Sequence, residues 1–498
     1  MQTNVSSAKK FFYDNWLTLL IALQPLLDTL AFWTQNERGT VAGVIRLIIM
    51  LVLPIVLLIS LRGERRKKLF IALCIVGGYC LLHVLNGLRV GNYMLDMLVL
   101  DTKYMARVVQ MPVLALCFMA YLDGEERALQ VERGLHIAAA VLIASLVISA
   151  LTHTANSTYP NGIGISGWVI VTNGNSASII LTILALSSVL STLKDKPIYL
   201  TLIFIVGSSV FLIANGTKAC YFSLLLMCFC GVIMLALTWI CGDRARLGRD
   251  ITVASALVLV AVLSLVLYPY TPAAAEESNI EYSKATKESY YQVKYPDIRD
   301  GDCENDNTPA EEDKPADWDE YMNELYTYFI PEDMQQRFGI ERIMEKYDYT
   351  DDVGTLMDVR RLKRTFARLA WDETDLATRL VGFQFYAMNT SPEDTYDLEN
   401  DWAALKYYYG YLGAGLYIGF LLYVFFVFLR RLLRDFKGAV NMRNMTYSML
   451  FVLELGLAQY SGAILRRPNA SFYLAITAAM LYYENMTAQR IIKKESKK

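Results

Sequence analysis

Along most of this chain, apolar residues run for roughly 18 to 22 positions before polar ones interrupt. That is the length a helix needs to cross the hydrocarbon of a bilayer. The pattern predicts twelve such helices, at about 15–33, 41–61, 69–87, 104–122, 135–152, 176–192, 197–214, 219–240, 251–269, 408–429, 445–464 and 469–485. The first run has no cleavable-signal pattern before it and reads as a retained span. The expected fold is therefore all-α: a polytopic membrane protein of about twelve transmembrane helices.

One long polar interval breaks the series. Residues 1–269 carry spans one to nine, residues 270–403 form a large loop, and residues 404–498 carry the last three spans and a basic tail. The first part of the loop, 270–316, is poor in aliphatic residues and reads as flexible. The rest, 317–403, reads as helical. DWDEYMNELYTYF and PEDMQQRFGIERIMEKY show amphipathic spacing, the second with proline at its start. A third helix is expected from about Thr355 to Trp371. A long loop with helices of its own is more often functional than a passive connector.

Charge sets the expected orientation. Lys and Arg gather in alternate links: Lys9 and Lys10, Arg62 to Lys68, Arg127 and Arg133, Lys194 and Lys196, Arg244 to Arg249, Arg430 to Arg443, and the tail from Arg490. By the rule that basic loops stay inside, both termini are expected in the cytoplasm of a cell-membrane protein. The 270–403 loop is expected outside. Composition narrows the class further. Hydrophobic residues make up 54% of the 498, and the net charge of −2 carries no sign of nucleic-acid binding. Seven of the eight cysteines lie in or beside apolar runs; only Cys303 is in the polar interval, and the three histidines are scattered. Neither a disulfide framework nor a metal site is expected.

Charged residues within or at the edge of a span are costly unless they face water or a partner, so they are functional candidates by default. The first span holds Gln24, Pro25 and Asp28. Arg46 lies in the opening turn of the second and Arg107 in that of the fourth. Asp28 and Arg46 read equally well as a structural ion pair between neighbouring spans. His83 reads as a hydrogen-bonded interior residue.

The stretch from Thr355 to Gly419 concentrates the chemistry. At helical spacing Arg360, Arg364 and Arg368 share one face with Arg361 beside them. Arg379 follows near a glycine turn, and Glu399 and Asp401 stand just before the next apolar run. A cationic face set against carboxylates at a membrane surface suits a lipid-linked pyrophosphate. The alternative is an amphipathic helix with solvated arginines. Elsewhere, GIGISGWVIVTNGNSAS places Asn173 and Asn175 in a loop that offers donors to a sugar or phosphate, or forms only a turn and helix cap. Lys218 opens the eighth span. Arg466 and Arg467 sit on the outer side of the last link, against the charge rule.

Taken together, these pieces resemble the O-antigen ligase and polymerase family, in its Gram-positive-type members that build capsule or wall polysaccharide. QPLLD followed by Arg46 is similar to the family's opening pattern, and GWVIVTNGNSAS to its Gly/Asn loop. NGTKACYFSLLL resembles a span start at which Lys218 stands where arginine is usual. RRLKRTF and RLVGFQF resemble the loop arginine and glycine turn, with Arg360 or Arg361 as the match. LENDWAALKYYYGYLGAGLYIGFLL and SGAILRRPNASFYLAI are similar to the closing segments. One departure concerns the base. Classical ligase members carry a histidine before the span that follows the large loop, where this chain has Glu399, Asn400 and Asp401.

The resemblance implies a glycosyltransferase of the GT-C type on the outer membrane face. It would move a glycan from a polyprenyl-pyrophosphate donor to a sugar hydroxyl on a glycan acceptor, without cofactor or metal. Its partners would be that lipid-linked oligosaccharide, membrane lipid and other polysaccharide-assembly proteins. Expected pyrophosphate ligands are Arg360, Arg361, Arg364, Lys218 and Arg46. Expected bases are Glu399 first and Asp401 second. Substrate contacts are expected at Asp28, Asn173, Asn175, Arg379 and Arg466. A flippase for lipid-linked oligosaccharide is the competing class. The large loop with its arginine helix and the lack of a repeat between the chain halves count against it.

Overall fold

The computed structural model describes residues 2–34, 40–91, 95–159, 161–169, 174–193, 196–241, 247–294, 318–388, 396–462 and 464–487. In chain order the α-helices are α1 (Gln2–Trp33), α2 (Thr40–Ser60), α3 (Gly63–Val90), α4 (Leu95–Tyr121) and α5 (Glu125–Leu151). They continue with α6 (Gly174–Thr192), α7 (Ile198–Asn215), α8 (Lys218–Ile240), α9 (Leu247–Leu267) and α10 (Pro272–Lys294). The polar interval adds α11 (Trp318–Phe329), α12 (Glu332–Phe338), α13 (Ile340–Lys346), α14 (Val353–Leu356), α15 (Val359–Asp372) and α16 (Leu376–Val381). The chain closes with α17 (Asp401–Arg434), α18 (Phe436–Ala439), α19 (Met442–Ser461) and α20 (Pro468–Tyr482). A short antiparallel ladder, β1 (Asn156–Ser157) with β2 (Ile165–Gly167), lies between α5 and α6. The fold is an all-α polytopic membrane protein. Among the described residues, nine helices are long and apolar enough to cross a membrane. The helices α6, α19 and α20 fall on the other three expected spans.

Two compact units make up the chain. The first comprises Met1–Cys80, Met105–Ala275 and Leu416–Lys498; the second comprises Leu81–Tyr104 and Glu276–Gly415.

In the first unit, α1 packs along α5, and α6 packs against α5, α7, α8, α19 and α20. Ile21 lies so close to Gly134 that a Cβ there would stand 2.8 Å from the Ile21 side chain, so the small residue lets the two helices approach. Thr18 Oγ1 donates to the Gln130 carbonyl across the same contact. Helix α20 is buried on every side along most of its length, which is the pattern of an inner helix. Outer helices do the reverse. Ile55 and Ile59 of α2 are exposed, as are Leu259 and Val266 of α9, surfaces that require hydrocarbon around them.

The second unit has a small aromatic core. Helix α11 buries Trp318, Tyr321, Met322, Leu325 and Tyr326, the i, i+3, i+4 stripe that its sequence predicts. Tyr326 Oη donates to the Thr350 carbonyl, and Phe366 stacks on Tyr396 at 4.1 Å between ring centroids. Four sequence expectations change here and nearby. The stretch 270–316 was expected to be flexible, yet its opening part is α10. Ala273–Ala275 and the surrounding Glu and Lys are strong helix formers despite the low aliphatic content, and Lys284 reaches Asp352 at 3.4 Å. Residues 295–317 lie outside the described residues. The proline-initiated helix is two helices, broken at Gly339, whose φ of 80° and ψ of 141° are not helical. The arginine helix starts at Val359 rather than Thr355, because Asp358 caps it. Finally, α4 begins at Leu95, so Arg107 lies well inside that helix and not in its opening turn.

Candidate functional site

Helix α15 is the centre of the second unit's polar face. Thr365, Phe366, Leu369 and Ala370 turn into the core, which leaves Arg360, Arg364 and Arg368 exposed on successive turns of the opposite side. Asp358 fixes where the helix begins by accepting from the Arg360 amide at 2.9 Å. Its replacement by alanine is expected to cost about 1 kcal/mol, read as a lower unfolding midpoint of the purified protein in detergent.

Glu399 meets this face from the segment that leads into α17. Its carboxylate accepts from Lys363 Nζ at 2.9 Å and from Arg360 Nε at 3.2 Å. Burial alone would raise the Glu399 pKa, but the Lys363 hydrogen bond and the two nearby cations outweigh it and hold the carboxyl below its ordinary value. The pairing therefore stabilises the fold above the ordinary carboxylate range and is lost as pH falls through the depressed value. Arg361 takes a different direction, lying over the Tyr347 ring at 5.2 Å. Arg364 Nε reaches only the carbonyl of Arg360, one turn back on its own helix, at 3.4 Å. Arg364 and Arg368 form no ion pair among the described residues.

Other predicted residues of this unit are held by the fold around α15 and α17. Arg379 Nη2 donates to the carbonyls of Asp372 and Trp371, at 3.2 and 3.4 Å. There it caps the C-terminal end of α15, where a cation is electrostatically favoured. Asp401 is fully buried in the first turn of α17, beside Asn400, whose side chain accepts from the Ala403 amide at 2.9 Å. Of the two carboxylates, Glu399 is the one with accessible surface.

A buried group that sequence reading placed only in part lies in the same unit. His83 Nδ1 faces the Val381 carbonyl at 2.9 Å, and Nε2 faces Asp101 at 3.2 Å. A carbonyl only accepts, so Nδ1 carries the proton. Asp101 also accepts from the Phe385 amide at 2.8 Å. The His83 reading as a hydrogen-bonded interior residue agrees with this geometry. Asp101 was not singled out, because an aspartate before an apolar run gives no spacing signal towards a histidine 18 residues earlier.

In the first unit, Arg46 and Asp28 form a buried ion pair, Nη2 to Oδ1 at 2.8 Å. Gln24 completes it, accepting from Arg46 Nε at 3.0 Å on its side chain and from Nη2 at 3.1 Å on its carbonyl. Asn469 of α20 lies near Asp28. Among the described residues, these contacts leave Arg46 Nη1 without a hydrogen bond. The buried Tyr473 hydroxyl nearby has none among the described residues either. Neither Asn469 nor Tyr473 was singled out from the sequence; the PNASFY motif was noted only for the arginines before it.

Lys218 is exposed in the first turn of α8, after Thr217, whose side chain accepts from the Cys220 amide. Arg466 is buried and reaches the Gly462 carbonyl at 3.3 Å. Asn173 lies outside the described residues, and Asn175 falls in the first turn of α6. Among the described residues no group of three or more His, Cys, Asp or Glu is placed to hold a metal.

These features define a multi-pass helical membrane protein with a substantial polar helical insertion. The chain belongs to the family of O-antigen ligase like membrane proteins, which it matches over residues 10–486. Comparison with curated proteins gives no match. Family membership supports a ligase- or polymerase-type role in membrane polysaccharide assembly.

Proposed function

We propose that this protein is a glycosyltransferase of the cell membrane that moves a glycan from a polyprenyl-pyrophosphate donor to a sugar hydroxyl on the outer membrane face. It would act as a polymerase or a ligase of cell-surface polysaccharide. The observation that carries the proposal is the cationic face of α15, where Arg360, Arg364 and Arg368 stand on successive turns and Glu399 pairs with the first of them. The Lys/Arg distribution favours the outer side for this segment.

The chemistry asks for two things. As the bond between the anomeric carbon and the pyrophosphate oxygen breaks, its electron pair goes to the pyrophosphate, and positive charge already in place stabilises it. Guanidinium groups suit that task because their planar donor forks match phosphate oxygens. As the acceptor oxygen bonds to the same carbon, its proton must leave, and Glu399 is the accessible carboxylate beside the arginines. The products are the lengthened glycan and the polyprenyl pyrophosphate.

The test is a gel of surface and lipid-linked glycan from cells lacking the protein. Accumulation of single lipid-linked repeat units with loss of long chains is the result expected of a polymerase. Full-length chains stranded on lipid identify a ligase. Units held on the cytoplasmic side, or an unchanged profile, overturn the proposal. Restoring the gene with Arg360→Ala and Arg364→Ala together is expected to leave the profile as in the deletion.

A further inference from the structure

We propose that Lys363 is a cation of the donor site and that Glu399 is its resident counter-ion, exchanged for the donor's pyrophosphate when the lipid arrives. This rests on the function proposed above. Sequence spacing did not single out Lys363, yet it makes the shorter of the two contacts to Glu399, 2.9 Å against 3.2 Å for Arg360. It lies three residues after Arg360, so the two project on neighbouring parts of one helical face. Lys363 and Glu399 are also the more sheltered members, each 21% exposed against 48% for Arg360.

A carboxylate held between two cations occupies the position that a phosphate oxygen would take. Glu399 satisfies Lys363 and Arg360 but leaves Arg364 and Arg368 without an ion pair among the described residues. A pyrophosphate carries more charge and more acceptor oxygens than one carboxylate. It is therefore able to hold the Arg360–Lys363 pair and draw on the arginine one turn further along, which Glu399 does not reach. Exchange is favoured for a pyrophosphate and unfavourable for a singly charged anion. The displaced carboxylate loses the two cations that kept it ionised and becomes a stronger base. Donor binding thus readies the group that takes the acceptor's proton.

The test uses the full-length protein in detergent micelles and farnesyl pyrophosphate as the probe, with affinity read by calorimetric titration. Glu399→Gln is nearly isosteric and removes the competing charge, and is expected to tighten binding about tenfold. Lys363→Met keeps the aliphatic stem and is expected to weaken it about tenfold, the order of one charge-assisted contact. Glu399→Asp, which shortens the reach to both cations, is expected to tighten binding in the same direction as the glutamine variant. Unchanged affinity in Glu399→Gln and Glu399→Asp overturns the exchange. Unchanged affinity in Lys363→Met removes Lys363 from the site. If Arg360→Gln and Arg364→Gln weaken binding while those variants do not, only this inference falls. If none of the five changes affinity, the proposed donor site falls with it.

Discussion

Gly382→Ala and Gly410→Ala are each expected to unfold the second unit and abolish the activity proposed above. The two glycines are pressed together backbone to backbone. Gly410 interrupts α17 with φ 62° and ψ −175°, and Gly382 ends α16 with φ 95° and ψ 156°. Backbone of that kind is essentially reserved to glycine. Space excludes a side chain as well. A Cβ at Gly382 would stand 2.1 Å from the Tyr408 carbonyl oxygen, and one at Gly410 would stand 2.3 Å from the Gly382 nitrogen. Those neighbours are main chain and have no rotamer into which to retreat.

The close approach also closes a hydrogen-bond account. The break at Gly410 interrupts the helical pattern in which the Tyr407 carbonyl would accept from the amide four residues on. It accepts instead from the Phe383 amide at 3.1 Å. Trp371, Phe383 and Tyr407 then pack their rings around the junction. Either substitution is expected to cost at least about 4 kcal/mol, in the range where single changes unfold domains. The measurement is limited proteolysis in detergent, with cleavage expected within 276–415. Gly415→Ala and Gly419→Ala, on the same helix but with open space at the Cβ position, are the controls and are expected to be silent. A resistant Gly382→Ala protein would mean that the junction repacks.

The glycine turn was visible in the sequence, but its role was not. RLVGFQF and the Gly-rich start of the next span are separated by a polar stretch, and nothing in either predicts contact between their backbones. The spans were legible because long apolar runs leave few alternatives in lipid. The arginine face was legible for a similar reason: 3.6-residue spacing shows which residues share a side. What that spacing hides is the partner. Glu399 lies 36 residues from Lys363, and only the folded chain pairs them. Arg379 illustrates the same limit, since its spacing near a glycine turn gives no sign of the Asp372 and Trp371 carbonyls that it caps. Compositional reasoning failed at α10, where low aliphatic content suggested flexibility but Ala, Glu and Lys favour the helix.

Arg46→Ala is the second change with a large expected effect, and it separates structure from function at a site where the sequence left both open. Arg46 is 7% exposed and Asp28 6%, so removing the guanidinium takes from Asp28 the cation that pairs with it at 2.8 Å. Breaking a buried pair in this way costs about 3–5 kcal/mol, because the remaining charge is uncompensated. Thermal unfolding in detergent is expected to show that loss, and Asp28→Ala a similar one. Replacing both members by apolar residues of like volume, Arg46→Met with Asp28→Leu, removes the stranded charge. It is expected to recover most of the stability, as such swaps do elsewhere. Rescue of the surface-glycan profile by the double variant then decides the role. Recovery of the profile along with stability makes the pair a structural tie between α1 and α2. A stable but inactive double variant gives Arg46 a role beyond that tie. Its Nη1 atom has no hydrogen bond among the described residues, and the buried Tyr473 hydroxyl nearby has none. Two donors left open beside a satisfied ion pair favour that second outcome.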